Sequence, residues 1–443
     1  MIERPRGTND FIPPESILRE KIIKLISEYF KIFGYNLIET PIFEKSELFK
    51  RSVGHTSDIV LKEMYEFKDK KGRDLVLRPE LTASVVRAVI QNRLYNNNHL
   101  KFYYMGPIFR YEKPQLGRFR QATQFGIEYL GNPSFLADFE IIFLTQNLYS
   151  HIFNNFNIKN TEFKIHINSI GCNNCRPNYK QKLYEYFVNY EKDLCQDCQK
   201  RLNLNVLRIL DCKNLVCKNI SLNAPKSVDY LCLECKNHFE NLLNLLKMSN
   251  INFVVDNYLV RGLDYYNRTV FEVKTILDNN TIDLAGGGRY DYLANFIDNN
   301  YNIAGCGFAG GLERLALIIN NYNPQESFNV IKILFALISD KKDLDIFKYL
   351  LNTIENININ VNLLKDNYNN NYSFYFSIEN SLKSALKLAN NMNLDYVIFI
   401  GEQEIEKNIF QVKNLKTGKQ KEFSLNEINL LAKKINDLLD KLN

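Results

Sequence analysis

Tyr104-Met105-Gly106-Pro107-Ile108-Phe109-Arg110-Tyr111-Glu112-Lys113-Pro114-Gln115-Leu116-Gly117-Arg118-Phe119-Arg120 decides how the rest of the chain is read. The apolar run Phe102–Arg110 suits a strand, and Gln121–Leu130 is extended again. A polar loop with a glycine separates them, so Phe102–Leu130 is predicted to be strand, loop and strand. That unit puts Arg110 at a strand end with Arg118 and Arg120 across the loop, three guanidinium groups converging. Arginine forks pair bidentately with phosphate oxygens, which points to a polyphosphate guest. A solvated basic hairpin would use the same residues.

Working outward, Glu15–Phe33 carries Leu18, Ile22, Leu25 and Tyr29 at helical spacing, with Pro13 and Pro14 at its start. Short strand-like segments follow at Leu37–Glu39 and Leu75–Leu77, and later at Phe253–Val255 and Thr269–Val273. A glycine cluster, Gly286-Gly287-Gly288, comes next, and Tyr301–Ala304 leads through Gly305–Gly310 into a helix over Leu312–Ile319. Asn320–Ser327, polar and containing Pro324, is predicted to be a linker. Beyond it strands and helices alternate: Val330–Ile338 and Tyr396–Ile400 as strands, Leu344–Ile354, Ser381–Asn390 and Ile428–Leu439 as helices. The middle of the chain therefore reads as an antiparallel sheet and the end as a separate α/β module.

Gly305, Gly307 and Gly310 satisfy the dinucleotide-binding glycine spacing. That motif needs a second strand and an acidic residue about twenty positions on. Here the helix runs into Asn320-Asn321-Tyr322-Asn323-Pro324 instead, so the dinucleotide reading is rejected.

The net charge of +6 permits a polyanionic partner without requiring one. No apolar signal core opens the chain and no apolar run approaches membrane-spanning length, so a cytoplasmic protein without a membrane partner is expected. Eight of the nine cysteines fall between Cys172 and Cys235, and Cys306 stands apart. Such clustering without a secretory signal argues for metal or free thiols over disulfides.

Phe109-Arg110-Tyr111-Glu112 with the Pro114–Arg120 loop resembles the second signature of class II aminoacyl-tRNA synthetases in its histidine-specific form. Leu259-Val260-Arg261-Gly262-Leu263-Asp264-Tyr265-Tyr266-Asn267-Arg268-Thr269-Val270-Phe271-Glu272 resembles the histidine-specific signature of the histidyl-tRNA synthetase family. Gly305–Leu315 is similar to the third class II signature, and Glu39–Glu44 to the first, whose proline lies at a dimer interface. Arg6–Asp10, Leu77–Thr82 and Gly287–Asp291 add shorter matches, as do Ser381–Ser384 and Val397–Glu402 in the last module. The resemblance implies an α+β catalytic domain built on an antiparallel sheet, the class II synthetase fold, over 1–170 and 251–325. An inserted helical, Cys-rich domain over 171–250 and a C-terminal α/β anticodon-binding domain over 328–443 complete it.

It also implies a reaction and its residues. ATP with Mg²⁺ would activate L-histidine to the adenylate, and the homodimer would then charge tRNA(His). Arg110 and Arg261 would be catalytic, flanking the reacting phosphate. Arg110, Glu112, Arg118 and Arg314 would hold ATP, and the loop bearing Gln115 would face the tRNA acceptor end. Glu80, Leu81, Thr82, Arg110, Gln124, Glu128, Arg261, Tyr265 and Tyr266 would bind histidine, with Glu128 and Tyr265 meeting the two imidazole nitrogens.

Cys172-x-x-Cys175, Cys195-x-x-Cys198 and Cys232-x-x-Cys235 have knuckle spacing, and Cys212 and Cys217 complete a second set of four. Structural Zn²⁺ and reduced buried thiols both fit. Relatives often carry serine or aspartate here, which makes zinc dispensable for the family's chemistry. Two rivals remain in view. A synthetase-like regulatory subunit of an ATP phosphoribosyltransferase would usually lack the phosphate-binding arginines and the anticodon module. A zinc-ribbon nucleic-acid-binding protein would leave the arginine signatures unexplained.

Overall fold

Pro14 precedes helix Glu15–Ile32 (α1), and Leu18, Ile22, Ile26, Tyr29 and Phe30 form its buried stripe at three- and four-residue spacing. Ile22, Ile26 and Phe30 are wholly inaccessible, each such side chain contributing about 1.5–3 kcal/mol. This computed structural model describes residues 2–54, 57–96, 99–114, 117–158, 163–277, 280–322, 330–339, 353 and 371–442. Its contacts divide the chain into two units, Met1–Gln325 and Glu326–Asn443.

The first unit starts with α1, strands Asn36–Leu37 (β1) and Phe43–Lys45 (β2) and helix Ser46–Val53 (α2). Strands Tyr65–Lys68 (β3) and Asp74–Leu77 (β4), helix Thr82–Gln91 (α3) and the hairpin Leu100–Phe109 (β5) and Gln121–Leu130 (β6) follow. Helix Phe135–Asn155 (α4) and strand Phe163–Ser169 (β7) lead into four helices: Arg176–Val188 (α5), Gln196–Leu204 (α6), Leu215–Ser221 (α7) and Leu233–Met248 (α8). The chain then returns through strands Phe253–Val255 (β8), Asn267–Leu277 (β9) and Asn280–Arg289 (β10) to helix Leu293–Ile297 (α9). Strand Gly305–Gly311 (β11) and helix Leu312–Tyr322 (α10) close the unit.

One eight-stranded sheet organises it, in the order β1-β5-β6-β11-β10-β9-β7-β8. Only the pairs β1–β5 and β7–β8 are parallel. The β5–β6 hairpin forms with Phe109 opposite Gln121 and Leu100 opposite Leu130. Helices α1, α4 and α10 pack on one another and cover β6, β10 and β11, while β2, β4 and β3 form a small sheet of their own.

Gly286–Gly288, matched in sequence to a glycine-rich strand end, lies at the end of β10, while Gly305–Gly311, expected as a lead-in to a helix, is itself a strand. Gly287 lies opposite Phe308 and Gly288 opposite Gly307 in the β10–β11 ladder. Glycine is a poor strand former on its own, and it persists here because neighbours fill the space a Cβ would need. At Gly286 that space holds the Arg261 guanidinium, at Gly305 the Tyr290 ring and at Gly307 the Glu128 carboxylate.

Between β7 and β8 the helical insertion has its own core of Tyr179, Leu183, Phe187, Leu202 and Ile209, with Cys198 and Cys217 buried in it. Helix α8 packs along α4, fastening the insertion to the sheet's covering layer.

In the second unit, strands Val330–Ile338 (β12), Asn371–Glu379 (β13) and Tyr396–Gly401 (β14) are parallel, and Ile409–Asn414 (β15) and Gln420–Ser424 (β16) extend the sheet antiparallel, in the order β13-β12-β14-β15-β16. Ile333–Leu337 is buried without interruption, as a two-sided central strand requires. Helix Leu382–Asn391 (α11) is capped by the Ser381 hydroxyl, helix Glu402–Glu406 (α12) follows β14, and the last helix, Leu431–Asp440 (α13), begins after a 3-10 turn rather than at Ile428. The helix expected over Leu344–Ile354 lies outside the described residues apart from residue 353, as does most of the expected linker. Among the described residues no helix is long and apolar enough to cross a membrane.

Candidate active site

The end of β5 aims Arg110 inward. Its backbone N–H donates to Arg120 O at 2.9 Å, and its Nε donates to Pro79 O at 2.8 Å, fixing the guanidinium plane. Arg118 crosses the hairpin loop to pair with Glu112 at 3.3 Å. Arg120 does not join them. Its guanidinium lies 4.0 Å over the Tyr111 ring and bonds the carbonyls of Glu112 and Arg6, so two arginines of this loop converge, not three.

Two more cations arrive from elsewhere. Arg314, in the first turn of α10, donates to Asp283 O at 2.5 Å with its stem against Gly117. Burial, together with the nearby Arg118 and Arg110, makes its proton easier to lose than usual, against the opposing pull of Asp283 and Glu112. Arg261 is held by Glu272 and lies flat against Gly286. Burial opposes its charge, but Glu272 and the two tyrosines more than offset this, and its pKa is raised. Its Nε is buried with no hydrogen-bond partner among the described residues.

The inner end is tyrosine-lined. Tyr265 and Tyr266 have ring centroids 4.7 Å apart, and Tyr265 meets Tyr290 edge-on at 5.8 Å. Tyr290 donates to Glu128, whose other oxygen, Oε1, is buried with no partner among the described residues. Burial pushes the Glu128 pKa up to about 8 against the lowering effect of that hydrogen bond, so the carboxyl is mostly neutral at pH 7. Glu80 caps α3, accepting from Thr82 N at 2.7 Å and Ala83 N at 2.8 Å, and Gln124 accepts from Leu81 N at 2.9 Å.

These groups border one cavity of about 270 Å³. Glu80, Thr82, Arg110, Glu112, Arg118, Gln124, Arg261, Tyr265, Tyr266 and Arg314 line it. Glu128 stands behind the wall. Leu81 turns its side chain away to pack with Val85 and Tyr104, leaving only its backbone near the site. Gln115 lies outside the described residues. Two neighbours carried no role in the sequence reading: Glu272, which orients Arg261, and Tyr290, which orients Glu128; Gly307, part of the third signature, leaves its space to the Glu128 carboxylate. Glu272 and Tyr290 stand inside the quoted motifs, but their contacts depend on strand pairing that one sequence does not print.

None of the eight clustered cysteines lines this cavity; they form two quartets. Cys172, Cys175, Cys232 and Cys235 form one, and Cys195, Cys198, Cys212 and Cys217 the other, with the sulfurs of each set within 4.8 Å of one another. Cys306 is buried alone on β11.

Residues 7–315 match the family model described as histidyl-tRNA synthetase, and residues 369–435 match an anticodon binding domain. A histidine–tRNA ligase of Dictyoglomus thermophilum is 42% identical over 425 residues, 96% of this chain and 97% of that one. One of Thermotoga petrophila is 41% identical over 95% of each. The solved apo histidyl-tRNA synthetase of S. aureus matches with a TM-score of 0.75 at 31% identity, covering 98% of this chain and 100% of that one. A Bacillus halodurans structure titled ATP phosphoribosyltransferase regulatory subunit/histidyl-tRNA synthetase shares the fold at 20% identity, TM-score 0.61, over 90% of this chain and 98% of that one. With both of its units matched and its catalytic signatures gathered on one sheet, the chain belongs to the histidyl-tRNA synthetase family of class II aminoacyl-tRNA ligases.

Proposed function

We infer that the cavity carries out both halves of the family's reaction in this chain, ATP-dependent activation of histidine and its transfer to tRNA(His). The observation that carries this is the convergence of Arg110, Arg118, Arg261 and Arg314 on one cavity whose inner end is lined by Tyr265 and Tyr266, with Glu128 behind that wall bonded to Tyr290. In the first step the histidine carboxylate attacks the α-phosphorus of ATP and pyrophosphate leaves. Two anions must approach, so Arg110 and Arg261 flank the reacting phosphate while Arg118 and Arg314 hold the outer ones. Glu112 takes part in holding ATP. In the second step the terminal ribose hydroxyl of tRNA attacks the adenylate carbonyl and AMP leaves.

Histidine is chosen by pairing both ring nitrogens, one with Glu128 and one with Tyr265, with Tyr266 packed alongside. Glu80, Thr82, Gln124 and the backbone at Leu81 set the amino-group end. A side chain without those nitrogens strands buried polar groups, which discriminates by about 10⁴-fold or more. Glu112 and Asp283 offer the hard carboxylate oxygens that Mg²⁺ travelling with ATP accepts. Mg²⁺ would neutralise phosphate charge.

The organisation follows the same reading: catalytic domain over 1–170 and 251–325, insertion over 171–250, anticodon-binding domain over 328–443, and Gln115 beside the acceptor end of tRNA. The protein works in the reducing cytosol, where its nine free cysteines persist. It works as a homodimer, because Leu37, Ile42, Phe43 and Phe67 expose apolar side chains that a second copy would cover.

Amino-acid-dependent ATP–pyrophosphate exchange tests this across all twenty amino acids. Exchange with histidine alone, lost in Arg261→Ala, is expected. Absence of exchange with any amino acid, from folded protein that binds histidine, would transfer the chain to the regulatory-subunit reading.

A further inference from the structure

The cysteine quartets lie outside the reaction just described, and their geometry is specific. Sulfur separations are 3.7 Å for Cys172–Cys175, 3.9 Å for Cys172–Cys232 and for Cys175–Cys235, and 3.8 Å for Cys195–Cys212. Four thiolates about 2.3 Å from one zinc ion sit about 3.8 Å apart along the edges of a tetrahedron. A disulfide would bring two of them to about 2.05 Å. A multi-iron cluster places iron and sulfide between its thiolates and spreads them further.

Backbone N–H groups and helix N-termini point at the sulfurs. Cys172 N donates to Cys175 Sγ and Cys195 N to Cys217 Sγ, both at 3.2 Å. Cys175, Cys195 and Cys232 cap the N-termini of α5, α6 and α8, where the helix dipole stabilises negative charge. Arg176 and Arg268 stand near the first quartet and Arg201 near the second, offsetting the surplus charge of four thiolates around a divalent ion.

Position gives each quartet a task. Cys172 and Cys175 follow β7 where the chain enters the insertion, and Cys232 and Cys235 open α8 where it leaves, so the first quartet clasps the neck. The second quartet holds α6 and the 3-10 turn Val206–Ile209. From that unit Arg201 and Arg208 both bond Asp58, at 2.9 and 2.8 Å. Arg208 also donates to Gly262 O at 3.2 Å, and Asn205 to Asp264 at 2.9 Å. These contacts bracket the backbone beside Arg261.

We propose that the insertion binds two zinc ions, one per quartet, and that the second fixes the loop carrying Arg261. Only the latter half rests on the ligase reading. Arg208 and Asn205 are positioning residues; they act through that loop.

The test is zinc content of the full chain, purified without chelator, by plasma mass spectrometry. Two zinc ions per chain are expected, one remaining in Cys175→Ser and one in Cys198→Ser. Mercurial titration of the unmodified protein gives the same stoichiometry if a variant fails to fold. Cys198→Ser should lower the kcat of histidine-dependent pyrophosphate exchange about tenfold or more while leaving the KM for ATP unchanged, since a displaced Arg261 is felt mainly in the transition state. Iron in place of zinc, or metal-free protein whose clustered thiols all react in the native state, overturns the metal sites. Loss of one zinc from Cys198→Ser with unchanged kcat overturns the bracing role. Two zinc ions in a protein without exchange uphold the sites and overturn the ligase reading instead.

Discussion

Gly307 on β11 lies opposite Glu128 on β6, and a Cβ at that glycine would occupy the place of the Glu128 carboxylate. Gly307→Ala must therefore push Glu128 off its Tyr290 hydrogen bond. Overpacking of this kind costs about 1–3 kcal/mol. The KM for histidine in pyrophosphate exchange should rise more than that for ATP. Equal increases in both would show that Glu128 does not read the amino acid.

Histidine affinity should depend on pH in a direction fixed by Glu128. Its pKa of about 8 leaves it largely protonated at pH 7, whereas accepting an imidazole N–H as a charge-assisted bond needs the carboxylate. Above pH 7 the free imidazole is already mostly neutral. The Kd for histidine should thus fall from about pH 7 through 8 and level off near pH 9, one unit above that pKa, and Glu128→Gln should flatten the curve. Calorimetric titration across that range checks it, and a flat unmodified profile rules the ionised carboxylate out. In ligand-free protein the stability linked to protonated Glu128 is complete below about pH 4.5 and is lost as pH rises through 8.

Arg261→Ala should reduce histidine-dependent exchange about 10²–10³-fold, the cost of removing one donor aimed at developing charge. Glu272→Gln should give a smaller loss of the same kind, because Glu272 acts through the guanidinium it holds. Steady-state kinetics on both variants would separate the roles, and an equal loss would contradict this division.

Asp138 ties the first unit together. Arg289, wholly buried, donates to it from Nε at 2.9 Å, and His238 of α8 bonds it at 3.2 Å. Burial alone would raise the Asp138 pKa, but Arg289 and His238 bring it down to about 2. The stability it supplies is present above about pH 3.8 and disappears as pH falls through 2. Asp138→Asn leaves the buried Arg289 with only Asp291, at 2.9 Å, as a carboxylate partner among the described residues, and should destabilise the unit by up to about 3–5 kcal/mol, measurable by urea unfolding near neutral pH.

The β5–β6 hairpin was legible because apolar runs flank a polar, glycine-containing loop, and period-two packing then sets its ends. The rejected dinucleotide site was legible too, since no acidic residue follows at the needed distance. The strand nature of Gly305–Gly311 was not. Local propensity argues against it, and the reason for bare backbone lies in Glu128, Tyr290 and Arg261, distant in sequence. Arg120 illustrates the same limit: its charge suggested a third phosphate ligand, but the Tyr111 ring supplies a nearer resting place. Cysteine spacing likewise offered pairs without saying which pairs share a site, because only the return of the chain at α8 brings Cys232 and Cys235 to Cys172 and Cys175.

The strand order also bears on how the protein is made. The β5–β6 hairpin leaves the ribosome early, yet the free edge of β6 is covered by β11, the last strand of the eight to be synthesised. Until then the nascent chain carries an unpaired ladder bordered by Phe125, Ile127 and Leu130, the kind of edge that recruits other chains. The helical insertion, rich in local contacts, is complete long before that edge closes and can fold while the sheet waits.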